Sequence, residues 1–382
     1  MFRPRLARVA ALAAIAVTAP LLAACGGDGA ADDGKIRFGV INSMTGGYGA
    51  VGKEEIASIK LAIAEINAAG GVNGSQLDVV VVDDQGSVAE ATAGFKRLAV
   101  QEKLPVIFGP GITATSEAVA PLADRNGVTL INFASQPEIT EGHKGVFQLL
   151  GPQRSVAHAM VNHAADKGLT RAAILHINDP FGTNGSKYIN EKAKERGISI
   201  AFEDSWNADA FNFSAQASKL MSANPPLLFM YGSGGTSNGQ ILKAIRDAGY
   251  KGVILGDLTF ATGGLSSSAG PAAETIVSFS QINYANPDEV TARYLSAIQK
   301  ELGKPAASFA ATGYDAVYLL KAAIEKAGRY EAEAVRKALE NNLGFSGVLG
   351  KQEYTPEYHA GPGASVFVPV QLSGDKFVSP TS

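Results

Sequence analysis

Cysteine occurs once in this chain of 382 residues, at position 25, and tryptophan once, at position 206. A single thiol closes no disulfide within the chain, so the fold has to rest on its apolar core. Charged residues make up only 18%, and the formal net charge is −3. With no basic excess to meet a phosphate backbone, nucleic acid is excluded as a partner. Beyond residue 24 no apolar run reaches the roughly 18 residues of a membrane helix. The histidines, at 143, 158, 163, 176 and 359, have no metal-ligand spacing, and 158 and 163 fall off a common helical face. No G-x-S-x-G elbow exists, and Ser233 in the run GSGG lacks a partner set for nucleophilic catalysis. The acidic pair Asp83-Asp84 reads as a cap on the helix that follows, not as a cation site. No cofactor or metal is expected.

What is present begins with Arg3, Arg5 and Arg8, then an apolar stretch to Leu22 interrupted only by Thr18 and Pro20. This is the pattern of a secretory signal. It ends in Leu22-Ala23-Ala24-Cys25, which resembles the lipobox of bacterial lipoproteins, where the cysteine becomes the acylated new N-terminus. Lipidation would account for the odd thiol. Residues 1–24 are therefore expected to be a signal peptide and 25–34, CGGDGAADDG, a lipidated flexible tether. Loss of three arginines leaves 30 basic against 36 acidic residues, a formal charge of −6. The expected location is outside the cytoplasm, held to the cell membrane by the lipid on Cys25.

From residue 35 the pattern alternates between strand and helix. Strands are expected at 36–41, 77–82, 106–108 and 128–132, with helices at 54–67, 88–101 and 113–126 between and after them. In the first helix Ile56, Ile59, Ile63 and Ile66 recur at spacings of three and four. The run LDVVVV at 77–82 reads as a strand buried on both faces. The alternation restarts with strands at 172–177, 198–202, 227–231 and 253–255 and helices at 184–196, 212–223 and 237–248. Three consecutive helices follow, at 287–302, 308–327 and 331–341, and then a strand at 365–372. The fold class is α/β, with two Rossmann-like lobes and a cleft between them. The late helices fit a chain that returns to its first lobe, giving 35–151 plus 281–350 for lobe 1 and 152–280 plus 351–382 for lobe 2.

The carboxyl ends of these strands carry loops rich in Gly, Ser, Thr and amides, at 43–49, 109–115, 132–136, 179–182, 232–237 and 257–262. Ligands of open α/β sheets sit at such ends. The stretch GPGITA at 109–114 follows a strand and opens a helix, as a dinucleotide fingerprint does. The next strand, however, ends LINFAS with no acid for a ribose hydroxyl. A secreted nicotinamide-dependent enzyme is thus the rival reading. The loops offer neutral hydrogen bonds and helix N-termini but no group to activate a nucleophile, which suits binding without catalysis.

Several stretches resemble the branched-chain amino acid periplasmic binding proteins, the leucine/isoleucine/valine receptors of ABC importers. They are IRFGVINSMTG at 36–46, INAAGGVNG at 66–74, Asp83-Asp84, and GQILK at 239–243. The resemblance runs from about residue 35 through the last strands. It implies two lobes joined by a three-segment hinge, ligand capture by cleft closure, a permease and ATPase complex as partners, and a monomer. It also implies a site. Thr113 takes the place of the carboxylate-binding hydroxyl, Ala134 and Ser135 that of the next loop, and Phe181 that of a closing aromatic, with Tyr48 as a second wall. The second-lobe tyrosine of the family falls at Gly234-Gly235-Thr236, and the ammonium-binding glutamate at Leu258, one position from Asp257. The disulfide often found in the family's first lobe has no cysteines here. Two ligand classes stay open: an amino acid held by Asp257, or an amide or aromatic carboxylate.

Overall fold

Ile36–Asn42 (β1), the run IRFGVIN, forms the second strand of a five-stranded sheet in a computed structural model that describes Met1 and residues 34–363, 366–374 and 376–380. Residues 2–33, which hold the rest of the expected signal segment, Cys25 and all of the tether but Gly34, lie outside the described residues, as does Ser365 at the start of the last expected strand. The unit Lys35–Ser382 carries all the described elements.

The helix α1 (Gly49–Ala68) follows β1 and is longer than the isoleucine stripe alone suggests. After it come β2 (Leu77–Asp83), α2 (Val88–Lys96), a π-turn at Arg97–Gln101, β3 (Val106–Phe108), α3 (Thr113–Asn126), β4 (Thr129–Asn132) and β5 (Val146–Gln148). The order β2-β1-β3-β4-β5 is parallel throughout. β2 is half-buried, not buried on both faces, because it lies at the sheet edge. Phe38, Val40 and Phe108 pack on one face of the sheet, and Ile41, Ile107 and Leu130 on the other, all excluded from solvent. Each such side chain contributes about 1.5–3 kcal/mol of transfer free energy.

The helix α4 (Gln153–Asp166) then leads into β6 (Arg171–Ile177), α5 (Pro180–Glu195), β7 (Ser199–Trp206), α6 (Ser214–Ala223), β8 (Leu227–Tyr231), α7 (Thr236–Asp247), β9 (Val253–Gly256), α8 (Leu265–Ala269) and β10 (Val277–Ser280). These strands are parallel in the second sheet, β14-β13-β10-β9-β8-β6-β7. Its last two strands, β13 (Val368–Ser373) and β14 (Lys376–Val378), are antiparallel. Between β10 and β13 run α9 (Glu289–Leu302), α10 (Ala311–Ala327), α11 (Ala332–Glu340) and a two-strand hairpin, β11 (Ser346–Gly347) with β12 (Gly350–Lys351).

The late helices pack on the first sheet's layer. Tyr314 and Tyr318 of α10 donate to Glu65 of α1 at 2.6 and 2.7 Å. Thr129 of β4 donates to the Ala332 carbonyl at 2.8 Å. The segment 352–359, expected with the second lobe, bonds instead to the end of the first sheet. Tyr354 donates to the Gln148 carbonyl at 2.9 Å, and the Gln148 amide donates to the His359 carbonyl at 2.9 Å. One buried side chain spans all three crossings between the sheets. Gln281 accepts from the Gly151 amide at 2.9 Å and donates to the Leu349 carbonyl at 3.3 Å.

Candidate functional site

The carboxyl ends of the two sheets meet at a cleft of ≈ 490 Å³, its open mouth included. Five of the seven residues expected there line it: Tyr48, Thr113, Ala134, Ser135 and Phe181. Thr113, Ala134 and Ser135 are all nearly buried, so the enclosed space is narrow.

Thr113 is the first residue of α3. The position before it is Ile112, whose side chain accepts no hydrogen bond, so the opening N–H groups of the helix have no side-chain cap. An uncapped helix start favours an anionic group. Ser135 offers a hydroxyl beside it, while its carbonyl accepts from Gln153 at 2.7 Å. Ala134 is less free than the resemblance implies. Its amide donates to Asn132 Oδ1 at 3.2 Å and its carbonyl accepts from Asn132 Nδ2 at 3.1 Å. One carbonyl lone pair remains for a ligand.

Tyr48 reaches the cleft with its hydroxyl 3.3 Å from Glu55 Oε1, and Glu55 Oε2 accepts from Asn42 at 2.6 Å. Gly111 makes room for this group. A Cβ there would stand 2.8 Å from the Tyr48 ring and 2.9 Å from Asn42 Oδ1. Gly111→Ala is expected to push the ring aside and weaken ligand binding, by roughly 5- to 150-fold if the overpacking costs about 1–3 kcal/mol. Titration calorimetry checks this. Phe181, in the first turn of α5, lies 5.0 Å from the Tyr231 ring. Its carbonyl accepts from Gln153 Nε2.

Two expected residues are elsewhere. Gly234 lines a neighbouring cavity of ≈ 740 Å³ with Glu54 and Lys304, and Ser233 takes its place in the cleft wall. Asp257 is fully buried and absent from the wall. A 3-10 turn at Leu258–Phe260 turns its carboxylate back as a cap, where Oδ1 accepts from the Thr259 amide at 2.9 Å and the Thr259 hydroxyl at 2.5 Å. Oδ2 has no hydrogen-bond partner, although the Gly232 amide stands near the carboxyl group. Leu258 and Thr259 face the cleft in its stead.

The acid that does line the cleft is Asp179, which the sequence reading did not single out. It caps α5 by accepting from Gly182 at 2.8 Å, and burial raises its carboxyl above the ordinary value. The rest of the wall is apolar: Ile112, Phe133, Leu150, Leu258 and Phe309. No Lys, Arg or His lines the cleft among the described residues.

Burial also pushes Glu55 and Asp257 up to about 8 and Asp315, which holds the Val348 and Leu349 amides, to about 7. Unfolded carboxyls titrate near ~4. Below the raised values the folded chain keeps protons that the unfolded chain has released, so stability falls as pH rises toward 8. The histidines held low, His158, His163 and His359, act in the opposite sense only below their ordinary value. The melting temperature is therefore expected to drop between pH 7 and pH 9, and Glu55→Gln to flatten that drop.

A family model described as Periplasmic binding protein matches residues 35–376. The chain belongs to that family. It is a family of binding receptors, not of enzymes, and it removes the nicotinamide reading of residues 109–114. This periplasmic binding protein is 28% identical over 299 residues to the Leu/Ile/Val/Thr-binding protein of Salmonella typhimurium, covering 77% of this chain and 80% of the relative. It is 26% identical over 310 residues to the leucine-, isoleucine-, valine-, threonine- and alanine-binding protein of Pseudomonas aeruginosa, covering 80% and 82%. Among solved structures, the substrate-binding protein LivJ of Streptococcus pneumoniae in complex with isoleucine superposes with a TM-score of 0.83. That match is at 22% identity and covers 90% of this chain and 98% of that one. The leucine-binding protein LivK of Thermotoga maritima gives 0.80 at 24% identity, covering 90% and 97%. At these identities the structures show the fold, two α/β lobes of the type I periplasmic-binding kind.

Proposed function

We propose that this chain is the extracytoplasmic substrate-binding component of an ABC importer and holds an amino acid with an apolar, branched-chain-type side chain in the cleft between its lobes. One observation carries the reading: the cleft wall has a single carboxylate, Asp179, and no cationic side chain among the described residues, beside an uncapped helix start and an apolar floor. A ligand with only a carboxylate would bring a second negative charge to Asp179 with no cation to offset either, which is costly when desolvated. A zwitterion solves the balance. Its ammonium meets Asp179, and its carboxylate meets the start of α3 with the hydroxyls of Thr113 and Ser135. Its side chain lies among Phe133, Leu150, Phe181 and Phe309. The amino-acid ligands of the Salmonella and Pseudomonas relatives support the same class.

Cleft closure, a permease and ATPase partner, a monomeric state and a lipid anchor on Cys25 belong to this proposal. Calorimetry against a panel of amino acids, their amides, aromatic acids and NAD(P) tests it. Micromolar binding of leucine, isoleucine or valine is expected, and tight binding of an amine-free acid in their place would refute it. Ligand at about 100 times its Kd should stabilise the fold by roughly 2.7 kcal/mol. For the anchor, Cys25→Ser is expected to yield a folded protein released into detergent-free buffer. Continued fractionation with membranes would tell against lipidation.

A further inference from the structure

The buried side chains behind the second-lobe wall form a chain of hydrogen bonds whose direction is fixed. The Ser233 backbone amide donates to Asn238 Oδ1 at 3.3 Å, so the amide group of Asn238 can present only Nδ2 to its other neighbour. That Nδ2 lies 3.1 Å from Thr259 Oγ1. At the far end, the Thr259 backbone amide donates to Asp257 Oδ1 at 2.9 Å, which makes that oxygen an acceptor. The Thr259 hydroxyl, 2.5 Å from the same oxygen, must therefore donate to it. This direction holds with Asp257 ionised, the form that a ligand ammonium in the cleft favours, because a carboxylate can only accept. Thr259 Oγ1 thus gives away its only proton and receives one from Asn238. One lone pair is left, and Thr259 lines the ligand cleft.

We infer that Thr259 is a specificity-determining acceptor of the cleft, oriented by Asp257 and Asn238, which takes an N–H of the ligand's ammonium and rejects a ligand with an acceptor or nothing there. The inference deepens the amino-acid reading and rests on it. It gives buried Asp257 a part in recognition without contact, as a positioning residue that keeps the hydroxyl proton turned away from the ligand. It also gives the ammonium a second partner on the same lobe as Asp179. A hydroxyl free to rotate would serve donors and acceptors alike. One pinned at both ends serves donors only.

The test compares two probes, L-leucine and 4-methylpentanoate, the same acid without the amino group, by calorimetry or competition on the full-length protein. Thr259→Val keeps the shape and removes the lone pair. It is expected to weaken leucine about 10- to 100-fold, the range for a hydrogen bond to a charged group. 4-Methylpentanoate should change less than threefold, so the ratio of the two constants collapses. Thr259→Ser should restore the wild-type ratio, and Asp257→Asn should narrow it. Equal weakening of both probes by Thr259→Val, or no weakening of leucine, would overturn the acceptor role while leaving the amino-acid reading intact. Wild-type protein that binds neither probe nor any other amino acid would overturn that reading and the acceptor with it.

Discussion

Asp179→Asn is expected to cost between about 30-fold and several-thousand-fold in Kd for leucine while leaving the fold almost unchanged. The substitution is close to isosteric, and an asparagine oxygen can still accept from Gly182 at the start of α5, where Asp179 now does so at 2.8 Å. What is lost is charge. Breaking one partner of a buried, hydrogen-bonded charge pair costs roughly 2–5 kcal/mol, and each 1.4 kcal/mol is a factor of ten. No other acid lines the cleft among the described residues to take over. Burial already holds the Asp179 carboxyl above its ordinary value. A ligand ammonium would pull it back down, so binding in acidic buffer should release protons and be measurable as buffer-dependent heat. Thr113→Ala removes one neutral hydroxyl and should weaken binding by about tenfold. A Thr113→Ala loss larger than that of Asp179→Asn would mean that the carboxylate end, not the ammonium, dominates recognition.

The contrast between Asp179 and Asp257 shows where the sequence stops being legible. The alternation of strands and helices could be read because each strand is a short apolar run and most helices carry a stripe with the right period. α4 escaped because polar His158, Asn162 and His163 are interleaved with Val156, Met160, Val161 and Ala164. β5 and β14, at three residues each, are too short to show alternation. In the site, the loops at strand ends were legible as a property of topology, and the hydroxyl and aromatic positions within them came from the family resemblance. The choice of acid was legible from neither, because it depends on which way one side chain turns. Asp257 precedes Thr259 by two residues, the spacing of an Asx turn, in which the carboxylate folds back on its own backbone. Asp179 stands before Pro180 as a helix N-cap, with its second oxygen unspent by that bond. Both signals are local and present in the sequence. Their consequence for the cleft appears only when the two sheets face each other.

Gly235→Val is expected to separate ligand binding from folding. Gly235 opens α7 in the second lobe with extended backbone angles, φ −81° and ψ −179°, which valine adopts without strain. The difficulty lies across the cleft. A Cβ at this position would stand 2.6 Å from the carbonyl oxygen of Gly47, in the loop that leads into α1 of the first lobe. That neighbour is backbone and cannot rotate away. Elsewhere along the cleft Tyr188 of α5 donates to Glu138 of the first lobe at 2.9 Å, a second contact that exists only while the lobes are together. With the lobes apart, a valine side chain would point into water and cost little. The strain therefore falls on the closed form alone. Overpacking costs about 1–3 kcal/mol, and a ligand that needs closure must supply it from its own binding free energy. Kd should rise roughly 5- to 150-fold. The melting temperature without ligand should stay within a degree or two of wild type, since surface changes that touch nothing fall within about 0.5 kcal/mol. Small-angle scattering gives the decisive reading: saturating ligand should shrink the wild-type radius of gyration and shrink that of the variant less. If Gly235→Val binds and compacts as the wild type does, the lobes do not approach this closely around their ligand, and the contact between Gly235 and Gly47 has no part in capture.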